Sequence, residues 1–212
     1  MPLNRLPAAD LIRIIEAPQR PNRQGLDPFS LEEIMEKFGV PGVSITVIKD
    51  FEVHWAKSYG IADVETGAKV NTDTLFQAAS ISKPVNAMAL LKAVQDGIFS
   101  LNDDINTILK SWKIPHCSSM EAQFLTPLTL SSHTSGLGDG FGFPGYSPSD
   151  PLPTIVQILN GDKLSNVGPV LPVRPPMTAY HYSGGGATIL QLALTDVLGK
   201  PYPDILRESV LE

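Results

Sequence analysis

The chain has 212 residues, with 16 basic against 22 acidic side chains, a formal net charge of −6 and no long basic run. This balance argues against nucleic acid or an anionic membrane as the main partner. No apolar run approaches the roughly 20 residues of a membrane span. Pro7, Asp10 and Glu16 interrupt the N-terminal stretch, so it has no signal-peptide core. Because Cys117 is the one cysteine, an internal disulfide is excluded and a cytoplasmic location is expected.

The N-terminal segment predicts a lead-in followed by a helix. Residues 1–28 are mixed in character and interrupted by prolines, which is typical of an N-terminal arm or an irregular lead-in. Ser30 and Glu33 have the spacing of a capping box, in which each side chain bonds the other residue's backbone amide. Apolar residues follow at helical spacing up to a stop at Gly39.

A β-hairpin is predicted next. Apolar and polar residues alternate over residues 43–48, a short polar break follows, and the pattern resumes over residues 53–59. The connection is too short for a crossover, so the two strands must be antiparallel. Residues 29–77 are therefore expected to hold one helix and the first strands of a sheet.

The stretch "SISKPVNAMALLKAVQDG" predicts a helix with chemistry at its start. Pro84 is tolerated in the first turn of a helix, so the helix should begin near Ser80 and end before Gly97. Ser80 and Lys83 are then three residues apart on one helix face. A hydroxyl beside an amine is a plausible nucleophile next to a plausible base, whereas Ser82 lies on another face and is interpreted as a secondary cap or hydrogen bonder.

The remainder, residues 78–212, is predicted to be a mostly helical region. "SLNDDINTIL" starts another short helix, and residues 134–176 are rich in Gly and Pro, which predicts long ordered loops around one or two helical turns. Residues 186–198 form a helix that stops at Gly199, and Pro203 opens a last helix. Strands first and helices after them indicate the α+β class.

Several stretches occur in the order of one known family: "GIADVETGAKVNTDTLFQAASISK", "GIFSLNDDINTIL", "LTLSSHTSGL" and "YHYSGGG". From about Val40 onward the chain resembles the serine β-lactamase and penicillin-recognising family. The likeness is greatest to its class C-like branch of carboxylesterases, D-amino-acid peptidases and related hydrolases. The resemblance implies a β-lactamase/transpeptidase-like fold, an antiparallel sheet flanked by helices with a mostly helical region, here incomplete at the C-terminal strands.

The resemblance also implies an acyl-enzyme hydrolase without cofactor or metal. Ser80 would be the nucleophile, Lys83 its activating neighbour and Tyr182 the residue that shuttles the proton. A serine hydroxyl needs a base, and either the lysine or the tyrosine can serve, so that choice stays open. The alternative is structural: Ser80 as a cap, Lys83 as a solvated side chain and Tyr182 as a core aromatic.

Two other features of the sequence, His133 and the glycines at 184–186, are given structural interpretations. His133 in "SSHTSG" suggests a Ser-His-Asp triad, but in the family this segment is a structural turn, and a histidine near a helix end is more often a cap than a base. Residues 184–186 are three glycines, which are expected to let the backbone turn tightly beside the site.

One departure from the family concerns substrate choice. The family's second motif usually ends in Asn two residues beyond the tyrosine, where its amide helps to hold substrate; this chain has Gly184 there. Gly184 is retained as a substrate-binding position, and a carboxylesterase acting on a small-molecule ester or amide is favoured. The alternatives are a D-aminopeptidase or β-lactamase, or a non-catalytic relative that binds acyl or peptide ligands.

A second departure concerns the family's third motif, K-T-G or a His-containing equivalent on a late strand. The tripeptide "GKP" at residues 199–201 does not supply it, because it follows a helix and Pro201 blocks a central strand. We therefore expect a further polypeptide segment to complete the sheet and the third motif. The 212-residue chain alone is expected to be inactive or poorly soluble.

Overall fold

The computed structural model describes residues 6–18, 28–116, 124–139 and 144–212, which form two units, 1–77 and 78–212. Cys117 lies outside the described residues. The first unit contains two helices and three strands: α1 (Ala8–Glu16), α2 (Leu31–Lys37), β1 (Gly42–Lys49), β2 (Glu52–Asp63) and β3 (Ala68–Lys69). The strands form an antiparallel sheet in the order β1-β2-β3. The predicted hairpin is confirmed, and its second strand continues four residues beyond the predicted end.

The hairpin turn consists of Asp50 and Phe51, and both have a positive φ, 53° and 65°. Two consecutive residues of this kind are what a two-residue type I′ turn requires, and that turn matches the natural twist of paired strands. The register places Val47 opposite Trp55 and Val43 opposite Tyr59. These pairs share one face of the sheet, and Trp55 is buried there.

The capping box that opens α2 is confirmed. The amide of Glu33 donates to Ser30 Oγ at 3.2 Å, and the amide of Ser30 donates to Glu33 Oε2 at 2.6 Å. Residues 1–28 were predicted to form an N-terminal arm or an irregular lead-in, and the irregular alternative was wrong for Ala8–Glu16, which form α1. The partly buried residues of α1 recur at helical spacing, and Glu16 at its end binds Lys57 of β2.

The second unit is helical and packs around one long helix. Its described α-helices are α3 (Ser82–Gln95), α4 (Ile105–Ile108), α5 (Pro127–Ser131), α6 (Ile155–Asn160), α7 (Gly184–Leu198) and α8 (Tyr202–Leu206), and a π-helical turn, Arg207–Leu211, follows α8. Helix α7 contacts α3, α4, α5, α6 and α8. Its residues Ile189, Ala193 and Leu194 are fully buried in the core of this unit. An antiparallel sheet in the first unit and a helical second unit confirm the α+β class.

The start of α3 differs from the prediction. Ser80 lies in a separate 3₁₀ turn, Ala79–Ile81, and α3 proper begins at Ser82. Ala79 has a positive φ of 45°, a strained value for a residue with a side chain, which marks the entry to this turn. The cap alternative for Ser82 was wrong, because neither the turn nor α3 has a side-chain cap hydrogen bond.

Helix α7 begins two residues earlier than predicted. Ser183 is its N-cap and accepts the amide of Gly186 at 2.8 Å. Residues 184–186 are therefore in the first helical turn, and none of them has a positive φ, so their predicted role as turn glycines was wrong. A Cβ atom on Gly185 would lie 2.6 Å from both methyl carbons of Val170. Gly185 is thus required for close packing.

The described parts of the Gly- and Pro-rich stretch, residues 134–139 and 144–176, are loops around the short helix α6, as predicted. A bridge between Leu137 and Pro172 joins two of these loops. The amide of Gly138 donates to Leu171 O at 3.0 Å, and the amide of Val173 donates to Gly136 O at 2.9 Å. Among the described residues, no helix is long and apolar enough to cross a membrane.

The packing of α7 generates a stability prediction. Gly185→Ala should lower the free energy of unfolding by about 1–3 kcal/mol, because Val170 is fully buried and branched at Cβ and cannot move aside. Urea unfolding followed by circular dichroism measures the change. Gly168→Ala is the matched control, since a Cβ there meets nothing within 4 Å. Equal stability of the two variants would contradict the packing role.

Candidate active site

Ser80 is held at the entrance to α3 by the 3₁₀ turn, where it is exposed to solvent. Its Oγ atom lies 3.3 Å from Lys83 Nζ, which donates to it, and 2.7 Å from the hydroxyl of Tyr182. The predicted proximity of Ser80 and Lys83 is thus present, although the two residues belong to different helical elements. Lys83 and Tyr182, which were predicted from two separate motifs, therefore both form a hydrogen bond with Ser80 Oγ.

Tyr182 lies immediately before the N-cap of α7, and its side chain forms hydrogen bonds with both Lys83 and Ser80. Its pKa is lowered, first by a hydrogen bond from Lys83 and then by the bond with Ser80, while partial burial opposes the shift. Lys83 Nζ also lies 4.8 Å from the centroid of the tyrosine ring. A cation in this position stabilises the phenolate form of Tyr182 relative to the phenol.

Asp139 is a site residue that the sequence analysis missed. One of its carboxylate oxygens accepts the hydroxyl of Ser183 at 2.6 Å, and the other accepts the amide of Gly185 at 2.7 Å. A carboxylate at the N-terminus of α7 is favourably placed for the helix dipole. Asp139 thereby holds the start of α7 in place, directly after Tyr182.

His133 was expected to be a turn residue, and the structure places it in a turn with a positive φ of 57° just beyond α5. Its ring also packs on Tyr182, with centroids 4.5 Å apart, and its Nδ1 accepts the amide of Ser183 at 3.2 Å. Burial lowers the pKa of His133, and the nearby Lys83 lowers it further, while Asp139 acts in the opposite direction.

A buried polar contact ties α3, the helix of Lys83, to α7, the helix that follows Tyr182. Asn86 lies on α3 three residues after Lys83, and its Nδ2 donates to the carbonyl of Ala187 on α7 at 3.2 Å. The hydroxyl of Tyr202 donates to Asn86 Oδ1 at 2.7 Å. Burial raises the pKa of Tyr202 to about 12, so its phenol remains protonated and continues to donate. No sequence pattern singled out Asn86, because its partners are remote in the chain.

Gly184, the predicted substrate-binding position, is the first residue of α7 and is buried two residues beyond Tyr182. Its carbonyl accepts the hydroxyl of Thr188 at 3.2 Å. The structure therefore brings Ser80, Lys83 and Tyr182 into direct contact and places Gly184 beside them in the chain. A role for Gly184 in binding substrate stays a prediction.

Comparison with known proteins gives consistent matches. The Beta-lactamase family model matches residues 30–212. "Protein flp" of Staphylococcus aureus is 26% identical over 184 residues, which are 86% of this chain and 35% of that protein. Penicillin-binding protein 4 of Amycolatopsis lactamdurans is 28% identical over 171 residues, 81% of this chain and 42% of that protein. The structure of D-amino acid amidase from Ochrobactrum anthropi SV3 is 26% identical, with a TM-score of 0.66, covering 84% of this chain and 46% of that one.

These matches settle the family and its fold. The chain spans less than half the length of each of these relatives, with 35% and 42% of the two sequences and 46% of the amidase structure covered. The antiparallel sheet and the helical unit form part of the β-lactamase/transpeptidase-like fold. Because the family model covers nearly all of the described residues, from Ser30 to the last one, this chain belongs to the β-lactamase family.

Proposed function

We propose that the protein is a serine acyl hydrolase that works through an acyl-enzyme on Ser80. One observation carries this proposal: Ser80 Oγ lies within hydrogen-bond reach of both Tyr182, at 2.7 Å, and Lys83, at 3.3 Å. A nucleophile beside a base that is itself held by a third group is the arrangement that nucleophilic catalysis requires. Membership of the β-lactamase family supports the same general chemistry.

In the proposed acylation step, Tyr182 acts as the base in its phenolate form. The proton of Ser80 passes to the phenolate oxygen while Oγ forms a bond to the carbonyl carbon of the substrate. The resulting phenol then protonates the leaving oxygen or nitrogen as the acyl bond breaks. Water releases the acid by the same steps in reverse and restores Ser80. The lowered pKa of Tyr182 supports this assignment, because the contacts with Lys83 and Ser80 that lower it favour the phenolate form.

Lys83 is proposed to remain a cation during this cycle. Its position beside the ring and hydroxyl of Tyr182 stabilises the phenolate before attack. The backbone amide of Ser80, at the N-terminal end of the helical segment, is proposed as one donor to the carbonyl oxygen as negative charge develops there.

The proposed substrates are small carboxylic esters. Gly184 has no side chain, so this position offers no amide group to hold the amide of a peptide-like or β-lactam substrate. An ester needs no such partner, and its alcohol is a better leaving group than an amine. The similarity to a D-amino acid amidase favours a D-amino-acid amide as the second candidate class of substrate.

A further polypeptide segment is proposed to complete the sheet and to supply the third motif of the family. Among the described residues, β1 pairs only with β2 and leaves one edge open to another strand. Ile48 and Val53 beside the hairpin turn are about two-thirds exposed, 68% and 65%. A stable monomer of the 212-residue chain that turns over ester would overturn this part of the proposal.

The identity of the nucleophile is tested by covalent labelling. A fluorophosphonate or an activated aryl ester should add to Ser80 in the protein with a completed site, because Oγ is exposed and adjacent to a base. Intact mass and peptide mapping locate the adduct. Ser80→Ala should give none, while Ser82→Ala, which removes the neighbouring hydroxyl, should label normally. Persistent labelling of Ser80→Ala would rule out the assignment.

The activating pair is tested by two substitutions. Tyr182→Phe and Lys83→Ala should each lower the rate of Ser80 acylation by about 10²–10⁴-fold, the usual size of general acid–base assistance. Both variants should remain folded, because the two side chains are partly exposed and lie outside the core. Stopped-flow measurement of aryl alcohol release gives the rates. Near-normal acylation in both variants would leave Ser80 without an activator.

Substrate class is tested by comparing a short-chain aryl ester with a chromogenic cephalosporin and a D-amino-acid amide. The ester should have the highest kcat/KM because Gly184 offers no amide-binding side chain. Gly184→Asn should shift the ratio toward the cephalosporin, and Thr188→Ala, which alters the same helical turn, should leave it unchanged. Faster turnover of the cephalosporin or the amide by the unmodified protein would replace the ester proposal.

A further inference from the structure

We propose that His133 is the positioning residue for Tyr182, holding the backbone on both sides of the tyrosine and supporting its ring. The inference rests on the proposed function, since the position of Tyr182 matters to catalysis only if it exchanges a proton with Ser80. It assigns His133 a role other than that of a triad base, because the ring contacts Tyr182 and the Ser183 amide, and the hydroxyl of Ser80 is bonded to other groups.

The backbone contacts form the first part of the argument. The amide of His181 donates to the carbonyl oxygen of His133 at 2.8 Å. The amide of Ser183 donates to Nδ1 of the same histidine at 3.2 Å. One residue therefore bonds the backbone amides of both residues that flank Tyr182. Rotation of the Tyr182 backbone would break at least one of these two bonds.

The ring contacts form the second part. The ring of His133 lies against Tyr182 with centroids 4.5 Å apart and planes tilted by 31°. Tyr180 meets the same imidazole edge-on, with centroids 5.9 Å apart and an interplanar angle of 82°. His133 thus fills the space between two tyrosines of one segment and restricts the direction in which Tyr182 points.

The turn that carries His133 is itself well held. The amide of Thr134 donates to the carbonyl of Thr129 on α5 at 2.9 Å, and the carbonyl of Thr134 accepts the amide of Met177 at 2.7 Å. Asn, Asp and His are enriched at positive φ, so the 57° value at His133 is compatible with this residue type. The support beneath Tyr182 is therefore anchored to the helical unit.

The contact with Ser183 requires a neutral imidazole, because a protonated Nδ1 cannot accept. Within the described part of the chain, four titratable or charged groups face the ring: Lys83 from α3, Asp139 from the following loop, and Tyr180 and Tyr182 from the segment before α7. Burial and then Lys83 lower the pKa of His133. The stabilisation that neutral His133 provides by accepting the Ser183 amide is therefore complete above the unfolded pKa, about 6.5. That contribution is lost as pH falls through the lower folded value.

Two substitutions at His133 distinguish the effect of the imidazole from the effect of the turn conformation. His133→Gly removes the imidazole but keeps the positive φ, which glycine adopts without strain. His133→Asn restores an acceptor oxygen close to the place of Nδ1, tolerates the same backbone and does not titrate. His116→Asn is the control for loss of an imidazole, because His116 is exposed on the same unit.

The readout that does not depend on activity is the pKa of Tyr182, followed by NMR of ¹³Cζ-labelled tyrosine in the full chain and assigned with Tyr182→Phe. His133→Gly should raise this pKa toward the ordinary value, because Tyr182 leaves Lys83 and Ser80. His133→Asn and His116→Asn should keep it low. An unchanged pKa in His133→Gly, or an equal rise in His133→Asn, would overturn the inference.

Acylation provides the second readout. His133→Gly should slow labelling of Ser80 by about 10–100-fold, the range expected for misplacement of a catalytic group by up to an ångström. His133→Asn should recover most of the rate and lose only the part of the acid limb that protonation of His133 causes, leaving the part that protonation of Tyr182 causes. If His133→Gly does not fold, an acid limb in His133→Asn identical to that of the unmodified protein overturns the inference. Failure of the unmodified protein with a completed site to label at all overturns the proposed function, while the tyrosine titration still decides the role of His133.

Discussion

The hydrogen bond between Ser80 and Tyr182 is the contact on which the site depends, because it joins side chains 102 positions apart in the chain. Ser80 is presented by a tight turn ahead of α3, and Tyr182 stands just before α7, so both helices must be held in place. Asn86 ties α3 to α7 inside the core, and Asp139 fixes the start of α7. Packing and buried polar contacts thus set the distance of 2.7 Å between the hydroxyl of Tyr182 and the exposed Oγ atom of Ser80.

What could be predicted from the sequence depends on interactions between near neighbours. The capping box of Ser30 and Glu33, the stop at Gly97 and the contact between Ser80 and Lys83 are all of this kind. Each requires particular residue types at a spacing of a few positions, so the pattern is visible without knowledge of the fold. The hairpin belongs to the same class, since alternation of apolar residues and a short turn specify both strands and their direction.

The contacts that could not be predicted are polar and long-range. Asp139 bonds residues 44 and 46 positions away, and His133 bonds Ser183 at a separation of 50, so neither leaves a periodic trace in the sequence. The early start of α7 has the same cause, because it depends on whether Ser183 caps the helix. Glycines at 184–186 were assigned to a turn because sequence alone does not distinguish conformational freedom from close packing against Val170.

The central claim is that Tyr182 and Lys83 act as one unit on Ser80, with the lysine stabilising the phenolate that removes the proton. A double-mutant cycle on the acylation rate tests it most directly, using Tyr182→Phe, Lys83→Ala and the combined variant. Residues that act as a unit are strongly non-additive. The account predicts that the double variant is about as slow as the slower single variant. Rate losses that multiply in the double variant would contradict it, because the two side chains would then contribute independently.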